Sequence, residues 1–168
     1  MDFGYPVLTI LIFFPLVAAL GLFLIRGDAV VRMYTMVASI IELILGLPLL
    51  WFSLESGAFQ FTERTTWVAQ WGLEYSLGID GISYLMVILS LFILPLCVLC
   101  SWTYIGKRIR EFHFCLLFMT AACVGVFSAL DLVLFYVFWE AMLIPMYLLI
   151  AIWGGDQRRY ASIKFFLY

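Results

Sequence analysis

One side chain is placed to move a proton. Glu140 lies near the middle of the otherwise apolar run Leu132 to Trp153, five residues ahead of Pro145. As a helix at ~1.5 Å per residue, that run is long enough to cross ~30 Å of hydrocarbon. A charged carboxylate at that depth costs roughly 2.5–3.5 kcal/mol on insertion scales, so it needs a partner or a task. Helical spacing gives it Tyr136 and Val137 on one side and Leu143, Ile144 and Tyr147 on the other. Pro145 has no N–H to offer the Ala141 carbonyl, which implies a kink and an unpaired acceptor one residue past the acid. Such a spot suits water or a cation where it faces other helices. Burial favours the neutral acid and a nearby lysine favours the carboxylate. A group that switches between these states is what a proton carrier requires. The bland alternative is a neutral acid making one structural hydrogen bond between helices.

The other polar residues in apolar surroundings carry weaker signals. Glu42 lies mid-segment near Pro48 and near Thr35 and Ser39, whose hydroxyls are within reach to satisfy it locally, so function and structure both stay open. Lys164 is placed to snorkel as an interfacial anchor, with a functional cation as the alternative. Asp80, in the stretch Leu77 to Ser83, is expected to cap the following helix rather than to release protons. Asp131 is placed to cap the run that carries Glu140.

Four cysteines fall in apolar runs, and the C-x-x-C of Cys97 and Cys100 has no second pair at ligand spacing. They are expected to be small, polarizable core residues. His113 is the only histidine, and a b-type haem held between helices takes two. Nor is there a Gly-rich phosphate loop, a metal cluster or a Ser-His-Asp set. No cofactor is expected in this chain, and most enzyme classes acting within it are excluded.

Composition sets the class that must position these groups. Apolar residues make up 66% of the chain and charged residues only 12%, about half of what a soluble domain carries. The pattern is an all-α, polytopic membrane bundle: a single membrane domain over residues 1–168, with no nucleic-acid partner suggested by a net charge of -2. Five apolar segments run from about Tyr5 to Ile25, Ala29 to Phe52, Ile82 to Tyr104, Phe112 to Leu130 (a short one) and Leu132 to Trp153, and a sixth begins near Tyr160. The first lacks a basic flank and runs past signal-peptide length. Eight of the nine Lys and Arg fall in the first, third and fifth connections or just past them. Arg64 alone lies in the second, among Glu55, Glu63, Glu74 and Asp80. The positive-inside rule then puts the N-terminus outside. The second connection, 53–81, reads as an outer-face cap: Phe59 and Phe61 alternate with polar residues as a short strand would. Trp67, Trp71 and Tyr75 follow as interface anchors, joined by Trp51, Trp102 and Trp153 at segment ends.

The stretch Asp131 to Gly154, DLVLFYVFWEAMLIPMYLLIAIWG, resembles the fifth helix of the antiporter-like membrane subunits of NADH–quinone oxidoreductase, respiratory complex I. LGIDGIS at Leu77 to Ser83 and KFFLY at Lys164 to Tyr168 support it, and together they are most similar to the chain-M, subunit-4 type. The resemblance implies a proton-translocating subunit of a bacterial inner membrane, with about fourteen helices in two inverted five-helix repeats. It implies that Glu140 pairs with a lysine on a later helix, and that quinone reduction elsewhere drives a proton along a central polar axis. Flavin and iron–sulfur clusters would reside in partner subunits, and neighbouring antiporter-like subunits would be partners in the bilayer. The lysines of helices seven and eight would lie beyond Tyr168, so the chain corresponds to an amino-terminal portion not expected to translocate protons alone. Two alternatives share Glu140: a subunit of a multisubunit cation/proton antiporter or of an energy-converting hydrogenase. From another class comes a non-catalytic membrane scaffold.

Overall fold

Proline, glycine and single carboxylates, more than apolar length, decide where the helices begin and end. The structure is a computed structural model that describes residues 5–51 and 58–167. Phe52, Glu55 and the start of the second connection, the side chain of Trp71, and Tyr168 lie outside the described residues. Helix α1 (Val7–Gly21) tightens into a 3₁₀ turn, Leu22–Leu24, and α2 (Asp28–Leu45) breaks at Gly46 into a second, Leu47–Trp51. A hairpin of β1 (Gln60–Val68) and β2 (Leu73–Ile79) follows. Then come α3 (Gly81–Tyr104), α4 (Ile109–Ser128), α5 (Leu132–Trp153) and the short α6 (Arg158–Leu167). Five of these helices are long and apolar enough to cross a membrane.

The fourth segment is shifted toward the chain's start, running Ile109–Ser128 and staying shorter than α3 and α5. Its helix starts at Ile109 and takes Arg110, Glu111 and His113 into its first turns. In the sequence these polar residues hide the boundary, because apolar content marks hydrocarbon and a helix runs on past it. The sixth helix likewise starts two residues early, at Arg158.

The bundle is organised around α4. Of its apolar stretch 61% is buried, against 11% for α5, so α4 is the central wall and α5 the periphery. Close approach of these two depends on Gly125, where an added Cβ would stand 2.4 Å from the Phe138 ring. Small residues at such contacts are how membrane helices gain packing contact. One core cluster lies toward the hairpin (Leu8, Leu11, Leu91, Val124) and another toward the opposite end (Leu22, Val98, Ile109, Leu117).

The hairpin is tied down at several points. Leu130 donates its N–H to the Ser76 carbonyl at 2.9 Å, joining β2 to the α4–α5 connection. A register shift between Gln60 and Glu63, with Phe61 at φ 53°, bends the strand where Phe61 packs on the core. Two residues on, the Glu63 carboxylate meets the start of α1. It accepts the Leu8 N–H at 2.7 Å, the Thr9 N–H at 3.0 Å and the Thr9 hydroxyl, which also lies 3.0 Å from the Tyr75 hydroxyl. Burial holds the Tyr75 phenol above its ordinary value, with the Thr9 bond opposing and the Glu63 charge adding to the shift.

Asp80 does the same for α3, accepting from Ile82 N at 3.0 Å and Ser83 N at 2.7 Å. The Ser83 bond holds its carboxyl below the usual range. Asp131 caps α5 through Val133 N and Leu134 N at 2.9 and 3.0 Å. Every spanning helix that starts at this end is therefore met by a carboxylate.

Because Glu63 accepts three bonds from the start of α1, with the Thr9–Tyr75 hydroxyl contact beside them, Glu63→Ala is expected to lose about 1 kcal/mol, the usual worth of a cap. Amide hydrogen exchange in the assembled protein checks it: Leu8, Thr9 and the β1–β2 amides should exchange faster. Unchanged protection at Leu8 and Thr9 would show that the carboxylate does not hold the hairpin.

Candidate functional site

Two carboxyl groups sit inside spanning segments at matching depth. Glu140 lies eight residues from the hairpin end of α5 and Glu42 nine residues from Trp51. At the rise of these helices that is about 12–16 Å below the hairpin end, near the middle of the hydrocarbon. Their surroundings are opposite.

Glu140 stands on the exposed face of α5 with Tyr136, Val137 and Ile144, which are 58%, 43% and 58% exposed. The expectation that neighbouring spans shield this face is not met among the described residues, because α5 packs Phe138 against Gly125 of α4 and Tyr147 against Phe166 of α6, on other faces. The Tyr136 hydroxyl bonds the Glu140 carboxylate across one helical turn. Pro145 is buried inside an uninterrupted helix, and its ring leaves the Ala141 carbonyl without an in-helix donor. The acid thus has a phenol one turn before it and a free carbonyl one residue after it. A cavity of about 580 Å³ between α1, the hairpin and α5 reaches Val137, a turn away. Thr9, Glu63 and Tyr75 stand in its wall.

Glu42 is fully buried, and neither carboxyl oxygen has a hydrogen-bond partner among the described residues. The hydroxyls expected to satisfy it do not. Thr35 donates to the Val31 carbonyl at 2.9 Å and Ser39 to Met36 at 2.7 Å. Ser and Thr in a helix find their own backbone first. These residues nonetheless form the inward stripe of α2: Val31, Thr35, Ala38, Ser39 and Glu42 are its buried positions. Lipid is thereby spared its polar groups. One turn past Glu42, Gly46 lets Leu91 of α3 in; an added Cβ would meet Leu91 Cδ1 at 2.4 Å. Among the described residues no charged group acts on Glu42.

The remaining candidates are not brought to either acid. Lys164 is exposed on α6, with its ammonium 5.8 Å from the Tyr160 ring centroid. The α5–α6 ring contact, Tyr147 to Phe166 at 5.5 Å, lies two helical turns past Glu140. Cys115 is buried and Cys123 half-buried beside Met142, but Cys100 is exposed, so the cysteines are only partly core residues. Sequence reasoning gave no role to Arg32, which donates from Nη2 to the Ile105 carbonyl at 2.9 Å and ties α2 to the α3–α4 connection. Its position early in an apolar segment was the available signal.

Comparisons with known proteins fit this arrangement. Residues 7–126 match the family model described as NADH-ubiquinone oxidoreductase chain 4, amino terminus. Residues 129–168 match NADH:quinone oxidoreductase/Mrp antiporter, TM. The NADH-quinone oxidoreductase subunit M of Rickettsia typhi is 41% identical over 97% of this chain and 35% of its own length. That of Rhodobacter capsulatus is 43% identical over 96% and 32%. The chain thus spans about a third of the length of these relatives. Among solved structures, respiratory complex I from Thermus thermophilus with bound NADH matches with a TM-score of 0.78 and 25% identity, over 96% of this chain and 32% of that one. An archaeal membrane-bound sulfane sulfur reductase shares the fold, with a TM-score of 0.80 at 16% identity over 97% and 34%. The chain belongs to the NADH-ubiquinone oxidoreductase chain 4 family, and it is the amino-terminal region of that family that it matches.

Proposed function

We propose that this chain supplies the first spans of a proton-translocating membrane subunit of a NADH–quinone oxidoreductase, with Glu140 as the proton carrier. The observation that carries the reading is the setting of Glu140: mid-membrane, bonded by the Tyr136 hydroxyl and one residue from the carbonyl freed by Pro145. Relatives bearing the subunit-M name support the rest. Quinone reduction takes place in other subunits, which hold the flavin and iron–sulfur groups. This chain contributes a carboxyl that takes up and releases H⁺, and a route to the hairpin side along the cavity below Glu63. The partners are the other membrane subunits, and the bare face of α5 carries the acid toward them. The basic end of the bundle faces the cytoplasm and the N-terminus the outside of a bacterial inner membrane. Lys164 receives no step, since no salt bridge joins it to the acid among the described residues, and Glu42 none, since no charged group acts on it among them.

A second reading, a cation/proton antiporter subunit, draws on the description of the model matched by residues 129–168. Sodium dependence of transport separates the two.

In the assembled complex, Glu140→Gln is expected to leave assembly intact while quinone-coupled proton pumping in inverted vesicles is lost or sharply reduced. Tyr136→Phe, which removes only the phenol hydroxyl beside the acid, should lower the initial rate less. Undiminished pumping by the glutamine variant would overturn the reading. Glu42→Leu should leave the thermal midpoint of the complex unchanged or raise it, since an unpartnered buried polar group costs about 1–3 kcal/mol. A lowered midpoint would reveal a bond that Glu42 is not seen to make.

A further inference from the structure

The two ends of the bundle treat their helix N-termini differently. At the hairpin end, α1, α3 and α5 each receive a carboxylate from Glu63, Asp80 or Asp131. At the opposite end, α2 and α4 begin at Gly27 and Arg108, and neither residue makes a side-chain cap. Basic groups gather there instead. Arg32 is the fifth residue of α2, and Arg110 and His113 are the second and fifth of α4. All three stand within about 6 Å of a helix start.

Burial makes this more than a solvated basic edge. Arg32 Nε, Arg110 Nε and His113 Nδ1 are all buried and lack a hydrogen-bond partner among the described residues. His113 is 1% exposed, and Arg32 is close enough to act on it electrostatically. The bond from Arg32 Nη2 to Ile105 fixes the guanidinium and leaves its Nε idle. Local acids hydrogen-bond none of these three nitrogens. Glu111 pairs with Arg108 at 3.2 Å and acts on Arg110 only through its charge, and Asp28 is exposed without a salt bridge among the described residues. Three buried nitrogens thus stand without a hydrogen-bond partner among the described residues, near two helix N-termini that have no side-chain cap.

We propose that Arg32, Arg110 and His113 form a binding site for a phosphate group at the basic end of α2 and α4. Arginine Nε–H with its neighbouring Nη–H matches phosphate oxygens in a fork, and imidazole Nδ1–H adds a third donor. The depth is that of lipid headgroups: the nearby Trp153 indole, last residue of α5, donates to the Lys107 carbonyl at 2.8 Å, as interface tryptophans do. An anionic phospholipid and free phosphate share this chemistry, and basic pockets between spans at such a depth hold lipid headgroups.

The test uses the assembled complex, stripped of loosely held lipid in detergent and titrated separately with phosphatidylglycerol, phosphatidylcholine and inorganic phosphate. Thermal midpoint and bound lipid by native mass spectrometry are read together. Phosphatidylglycerol should raise the midpoint, and Arg110→Gln should weaken that response about tenfold with one fewer retained lipid. Arg110 makes no bond through Nε that the fold would miss. Arg32→Gln with Arg110→Gln should abolish the response, while phosphatidylcholine, its phosphate masked by its own ammonium, serves as the reference. A shift produced by inorganic phosphate and lost in the same variants would assign the site to the soluble ion. Equal responses of the parent complex and both variants to all three ligands would overturn the proposal. Pumping is not read, so failure here leaves the role of Glu140 untouched.

Discussion

Hydrocarbon supplies no hydrogen bonds, so every polar atom within it must be answered by the protein. That constraint orders this chain. The backbone answers itself in five helices. The hydroxyls of Thr35, Thr120 and Ser128 bond carbonyls four residues back on their own helices, at 2.9, 3.0 and 2.6 Å. At the hairpin end the free N–H groups of three helices are answered by three carboxylates. Among the described residues, buried polar atoms of Glu42, Arg32, Arg110 and His113 escape this accounting, while Glu140 stands on an open flank.

Much of the architecture is legible in the sequence because hydropathy and the constraint are nearly the same thing. Apolar runs of about twenty residues become spans, and the capping acids Asp80 and Asp131 announce helix starts by type and place. The hairpin is legible as a cap with strand alternation, but its anchor is not. Glu63 reaches α1 across 54 and 55 residues of chain, through a bulge that no local pattern marks. Helix ends are the other blind spot. Arg110 and His113 belong to α4 yet read as loop, since a polar residue near an interface fits either side of it.

The candidate site was legible in identity and not in surroundings. Glu140 and Pro145 are found by type and spacing alone, and the Tyr136 contact follows from helical periodicity. Exposure does not follow from periodicity, because it depends on which helices pack where. Gly125 and Phe138 turn one face of α5 to α4, and Glu140 falls on another. For Glu42 the failure was local: nearby hydroxyls were expected to bond it, but a helix offers them carbonyls closer at hand.

The contrast between the acids bears on which of them can work. A proton carrier must exchange H⁺ with something, so it needs an acceptor in reach and two surroundings of similar free energy. Among the described residues Glu42 has neither: it is enclosed, and its carboxyl oxygens have no hydrogen-bond partner. Glu140 has a phenol, a freed carbonyl and an open flank on which a cation from another helix could stand. With the proposed carrier on the least buried span, rather than in the enclosed interior of α1–α4, its charge state stays open to control from outside these helices. Enclosure stabilises a fold, whereas coupling one span to another requires a face left bare.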